Sequence, residues 1–257
     1  MKAKVIWYLI SFLHLITILQ IGYSQIVTSN IQITPFRAQE SSVFIHPDNP
    51  NIILISNNPG NGVNPHILNT WYSLDGGNTW NQTSPLSFLI SPNSGLVFSV
   101  DMYGDPSVFI SKNGTFYVAG LGNLTGYVID VALSNNNGNS WNLKNLNTNG
   151  GDKPNFWMDD KNYTSLNLTN PFKTNIYIAW WDGVNNILFS KIDNNGTTWS
   201  SPTNISVSIN AQCHDHAPCV RTGINGEVYI AWAVIDSFCT TMDNFTSNIA
   251  FAKSVDG

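Results

Sequence analysis

Ser73-Leu74-Asp75-Gly76-Gly77-Asn78-Thr79-Trp80 is a tight turn spelled out in side-chain chemistry. Asp75 can accept hydrogen bonds from the backbone N–H groups of the turn it opens, and Gly76 and Gly77 supply positive φ without steric penalty. Trp80 then covers the turn with a large apolar ring whose indole N–H needs a polar partner. The pattern recurs. Ser134-Asn135-Asn136-Asn137-Gly138-Asn139-Ser140-Trp141 is a second copy, and Ile192-Asp193-Asn194-Asn195-Gly196-Thr197-Thr198-Trp199 is a more degenerate third. Ser254-Val255-Asp256-Gly257 opens a fourth. The equivalent positions 75, 136, 194 and 256 are separated by 61, 58 and 62 residues, the mark of a repeated supersecondary unit.

Between these turns there is no sustained 3.6-residue apolar period. Short β-branched and aromatic runs alternate with Gly, Asn, Pro and Asp clusters, which predicts an all-β chain. Each repeat offers one strand after an acidic or Pro-containing turn, a richer apolar strand, a third leading into the turn, and a fourth after the Trp. Four antiparallel strands per repeat is the size of a propeller blade. A single β-sandwich does not explain the spaced Trp-capped turns. The predicted blades are 26–95, 96–148, 149–206 and 207–257, the last incomplete.

The S/T-x-D-x-G-x-T-W turns resemble the Asp-box (BNR) repeat of sialidases and related β-propellers. Ser73, Asp75, Gly77 and Trp80 carry the likeness, as do Ser134, Asn136, Gly138 and Trp141, then Asn194, Gly196 and Trp199, then Asp256. It continues in Glu40–Pro50, in Asp152–Asp159 with Asn175–Trp180, and in Gly226–Trp232, covering residues 36–257. The resemblance implies six blades, so the chain is read as the N-terminal portion of a longer propeller. It also implies three arginines for the substrate carboxylate, a Tyr–Glu nucleophile and an Asp acid/base. The sequence departs from that set, because Arg37 and Arg221 are its only arginines and Arg37 sits in Phe36-Arg37-Ala38-Gln39 rather than an Arg-Ile-Pro run.

Charged residues make up 11% of the chain and the net charge is -5, which leaves no basic footprint for nucleic acid or an anionic membrane. Lys2 and Lys4 followed by the apolar run Val5–Ile21 and Gly22-Tyr23-Ser24 read as a secretory signal peptide over 1–24, with Gln25 first after cleavage. Export sends the protein to the cell surface or beyond, with no membrane contact apart from the leader. Three cysteines then fit one disulfide and one spare thiol; Cys213–Cys219 is the simplest pairing, though Cys239 could replace either partner.

Blade order places the Trp-capped turns at one end and the strand-one entry segments at the other. The turns are therefore read as architecture. The entry segments carry Arg37 and Glu40, then Asp101 and Asp105, then Asp152 and Lys153, then His214, Asp215 and His216, with Trp181 and Asp182 on a neighbouring loop. Acidic groups from successive blades around a shallow cup, beside an aromatic surface, suit a sugar. Asp105, Asp152 and Asp215 are the acid/base candidates, and Arg37, Lys153, Trp181, Asp182 and Arg221 the substrate-binding candidates. Each Asp also fits ordinary turn chemistry. In an exported protein Cys213–Cys219 reads as a small disulfide loop with two solvated histidines, so no metal site is expected there. No cofactor is called for, and structural calcium on the aspartates of that end is left open. Two functions follow as expectations: an exported sialidase-like glycoside hydrolase acting on extracellular glycans, or a non-catalytic propeller binding a glycan or glycoprotein.

Overall fold

The computed structural model describes residues 30–35, 38–60, 67–90, 98–122, 128–146, 150–159, 174–192, 199–206, 213–223, 225–236 and 247–255. The chain divides into two compact units, Met1–Ile33 and Thr34–Gly257. Of the first, residues 30–33 are described and carry no regular secondary structure, so the predicted leader lies outside the described residues. The second unit is a β-propeller of four antiparallel blades, with no helix among the described residues.

The first blade is β1 (Gln39–Ile45), β2 (Ile53–Asn58), β3 (Asn69–Ser73) and β4 (Asn81–Gln82). The second has five strands: β5 (Ser87–Ile90), β6 (Phe98–Ile110), β7 (Phe116–Gly122), β8 (Val128–Ser134) and β9 (Asn142–Asn145). The third is β10 (Asp152–Met158), β11 (Ile176–Trp181), β12 (Ile187–Ile192) and β13 (Thr203–Asn204). β14 (Cys213–Thr222), β15 (Val228–Asp236) and β16 (Ser247–Ser254) form the fourth. In each sheet the strands lie in chain order. Because β5 pairs with the long β6, the second sheet takes in residues 87–90, which the sequence pattern assigns to the first blade.

The Trp-capped turns form as their side chains dictate. Asp75 accepts from the Thr79 N–H at 2.8 Å and the Thr79 hydroxyl at 2.7 Å, while the Gly77 N–H donates to Ser73 Oγ at 2.8 Å. The Thr79 hydroxyl and N–H, then the Ser73 hydroxyl, hold the Asp75 carboxyl down at about 2. Asn136 and Ser134 repeat the arrangement, with Ser140 N–H on Asn136 Oδ1 at 3.0 Å and Gly138 N–H on Ser134 Oγ at 2.9 Å. The two indoles differ. Trp80 caps its own turn by donating to Gly77 O at 3.0 Å, whereas Trp141 donates to Ser84 O of the preceding blade at 3.1 Å. Of the third turn, Asn194 and Gly196 lie outside the described residues, as does Asp256 of the fourth.

Blades are also fastened near the axis. The Val108 N–H donates to Ser42 Oγ at 3.2 Å, the Phe156 N–H to Ser107 Oγ at 3.1 Å, and the Val220 N–H to Asn155 Oδ1 at 2.8 Å. Each is one blade's innermost strand bonding a polar side chain on the innermost strand before it. One residue further along, Phe44, Phe109 and Trp157 meet with ring centroids 4.4, 5.3 and 5.7 Å apart, filling the axis below the mouth. Arg221, at the equivalent place in β14, lies 4.4 Å over the Trp157 ring. Val108, Phe156 and Val220 are at most 4% exposed against the preceding blade, but Val43, their counterpart in β1, is 61% exposed. Ile249 on β16 is likewise 85% exposed, where Leu68, Ile129 and Ile187 are buried.

Candidate functional site

Every innermost strand breaks register at the same place. The shifts fall between Gln39 and Ser42, Gly104 and Ser107, Asp152 and Asn155, and His216 and Cys219. Within them Glu40, Asp105, Lys153 and Ala217 have φ of 50°, 49°, 51° and 50°. A left-handed non-glycine residue is costly and is held only by its surroundings, and a bulge re-aims the side chain it carries. Here four blades aim four such residues at one point. Glu40, Asp105, Lys153 and Ala217, each with its following Ser41, Pro106, Pro154 or Pro218, line a single open cleft of about 290 Å³.

Three of the four are charged and paired. Lys153 Nζ lies 2.5 Å from Glu40 Oε1 and 3.0 Å from Asp105 Oδ2, so one ammonium bridges carboxylates of the first and second blades. Asn58, at the end of β2, completes the frame: it donates to Glu40 and accepts the Asp105 N–H at 2.7 Å. Asp152 stands beside the Asp105 carboxyl, and its Oδ1 accepts the Lys153 N–H at 2.7 Å. Burial, then the side-chain contact with Asp105 and the Asp105 charge, push the Asp152 carboxyl up to about 7. For Asp105 burial works in the same direction but is outweighed by its side-chain contacts with Asp152, Glu40 and Lys153 and by the Lys153 charge, which hold it well below the usual carboxylate range. The Lys153 ammonium is partly desolvated, which disfavours its charge, yet its two carboxylate partners raise it. The result is a dyad holding one proton near neutral pH.

Of the residues singled out in the sequence, Asp105, Asp152 and Lys153 come together. The others separate for definable reasons. Asp215 is buried in β14, opposite Val234, and is not among the cleft-lining residues. Trp181 stands edge-on to the His216 ring at 5.0 Å, also off the lining. Asp182 is a turn residue: it accepts from the N–H groups of Val184, Asn185 and Asn186 at 2.8 to 3.0 Å. Those bonds, with the Asn186 side chain, overcome its burial and lower its carboxyl. Arg221 is occupied by Trp157, by Val220 O and by Asn155, away from the cleft. Asp101 accepts from Ser87 and Ser99 in the β5–β6 hairpin. Arg37 lies outside the described residues.

The Cys213–Cys219 disulfide is not formed. Cys219 is a free, exposed thiol, because 213–219 is strand rather than loop, pairing from Asp236 to Ala231 along β15. Six residues of strand span roughly 20 Å, far beyond the ~7 Å limit for a bridge. Among the described residues no group of three or more His, Cys, Asp or Glu could hold a metal ion. The sequence pattern passed over Asn58, Ala217 and the prolines. The signal was present in Gly104-Asp105-Pro106-Ser107-Val108, Asp152-Lys153-Pro154-Asn155-Phe156 and His216-Ala217-Pro218-Cys219-Val220, one repeat of the bulge with its latch.

No protein-family model matches the sequence, and no curated protein matches it. Solved structures do share the fold. A mutant α-L-arabinofuranosidase from Fusarium graminearum, bound to an iminosugar inhibitor, matches 86% of this chain with a TM-score of 0.55 and 14% identity. An endo-arabinase from Bacteroides thetaiotaomicron matches 88% of the chain and 78% of its own length, with a TM-score of 0.53 and 12% identity. The endosialidase of phage phi92 matches 82% of the chain and 34% of its own length, with a TM-score of 0.51 and 14% identity. The chain spans 64% of the Fusarium enzyme's length. At these identities the likeness establishes the class of fold, a β-propeller.

Proposed function

We propose that the cleft at the axis is a carbohydrate site and that the protein is a glycan-acting propeller, in its fullest form a glycoside hydrolase. The observation that carries this is the convergence of Glu40, Asp105 and Lys153 from three blades on one cleft, with Asp152 beside Asp105 and the two aspartates driven in opposite directions. A proton retained to about pH 7 is what general-acid cleavage of a glycosidic bond needs. The proton rests on Asp152 and reaches the leaving oxygen through Asp105, which lines the cleft. The second carboxylate at the cleft is Glu40 on the first blade, held by Lys153 and Asn58. That the solved arabinofuranosidase, endo-arabinase and endosialidase share this fold is consistent with the assignment.

One observation favours the non-catalytic alternative: Glu40 and Asp105 are both engaged by Lys153, as they would be in a site that only binds. Release of 4-nitrophenol from a panel of aryl glycosides separates the two. Hydrolysis by the wild type, with an alkaline limb near pH 7 that disappears in Asp152→Asn, supports the enzyme. Binding without turnover supports the module, and no binding removes both. We further infer export from the leader, tested by an N-terminus at Gln25 in the mature protein. We also infer further blades beside the exposed Val43 and Ile249 flanks, completing a ring of the sialidase-like kind.

A further inference from the structure

The four bulge positions are equivalent in backbone but not in chemistry. Glu40, Asp105 and Lys153 reach into the cleft with charged side chains that neutralise one another, two carboxylates against one ammonium. With Asp152 protonated below about pH 7, the charge left over is negative. Among the described residues Lys153 is the one cation at the cleft, and its ammonium is already bridged twice. A sugar carboxylate arriving here would meet like charge and no free guanidinium fork. The fourth quarter is different. Ala217 is exposed and offers a methyl group, flanked by Pro218 and Pro154. Three quarters of the cleft are thus charged and the fourth is a small apolar patch, matching the hydroxyl edge and the carbon face of an uncharged sugar ring.

Resting on the carbohydrate assignment above, we infer that the cleft takes a neutral sugar, seated with its carbon face over Ala217, and rejects sugars bearing a carboxylate. Ala217 is then the specificity-determining position, because any longer side chain there would project inward as Glu40, Asp105 and Lys153 do. The backbone tolerates one, since Asp105 and Lys153 hold the same conformation before a proline.

The test is calorimetric titration of the full chain in mildly acidic buffer with arabinotriose and with sialyllactose, using wild type, Ala217→Glu and Ala217→Gly. The wild type should bind arabinotriose and not sialyllactose, and Ala217→Gly, which removes the methyl seat, should bind arabinotriose more weakly. Ala217→Glu should lose at least roughly tenfold in arabinotriose affinity while melting within a few degrees of wild type. Sialyllactose binding as tightly as arabinotriose, or an Ala217→Glu variant that binds arabinotriose like the wild type, overturns the inference while leaving the carbohydrate site standing. Failure of the wild type to bind either sugar overturns both.

Discussion

Replacing Asp152 by Asn should flatten the dependence of stability on pH between about 4 and 7. In the native protein the Asp152 carboxyl keeps its proton to about pH 7, against 3.8 for an unperturbed aspartate. The folded state therefore binds more protons than the unfolded chain in that window. A raised acid contributes its stability fully below the unfolded value and loses it as pH climbs through the folded one. A shift of this size would amount to about 4 kcal/mol for a wholly buried group, but Asp152 is only half-buried, and solvent screening reduces it to about 1–2 kcal/mol. Asn is neutral throughout and of the same shape, so its loss should be absent. Urea unfolding of wild type and Asp152→Asn at a series of pH values reads the difference directly. Wild type should weaken by about 1–2 kcal/mol relative to the variant from pH 4 to pH 8. Parallel curves would mean that Asp152 ionises normally and that no dyad exists.

Four further outcomes follow from the fold. Ser107→Ala strips the acceptor from the buried Phe156 N–H and should cost about 1–3 kcal/mol in urea unfolding. Gly138→Ala places a Cβ 2.4 Å from Thr83 Cγ2 at a φ of +76°, so about 2 kcal/mol or more should be lost in thermal unfolding. An Asp at Val220, wholly buried, should cost about 3 kcal/mol or more in urea unfolding. Cys219 should react promptly with a thiol reagent in the native protein, and mass spectrometry should find no 213–219 bridge.

The parts of this molecule that were legible in its sequence are those made by neighbours in the chain. Asp75 and Ser73 bond atoms within a few residues of themselves, so residue identity is enough to read the turn. The strands follow from short apolar runs between such turns. The cleft depended on something else: three left-handed bulges carrying charged residues 65 and 48 positions apart, at 40, 105 and 153, brought to one axis by blade packing. Ordering the blades was sufficient to place Asp105, Asp152 and Lys153 at the same end, but not to distinguish them from Asp182, whose carboxylate is spent on its own turn. Arg221 could not be separated from the site by sequence, because the Trp157 ring that occupies it comes from another blade. The cysteine pairing failed for a related reason, since a Pro-containing heptapeptide that reads as a loop is a bulged strand.

Where a sugar touches the protein is the decisive observation. Backbone amide NMR of the full chain, titrated with arabinotriose, gives that answer without requiring turnover. Shifts centred on Glu40, Asp105, Lys153 and Ala217, which carry the four bulges, are the predicted result. Shifts confined to the Trp-capped turns around Asp75 and Asn136, or spread over the surface with no focus on the axis, would contradict it.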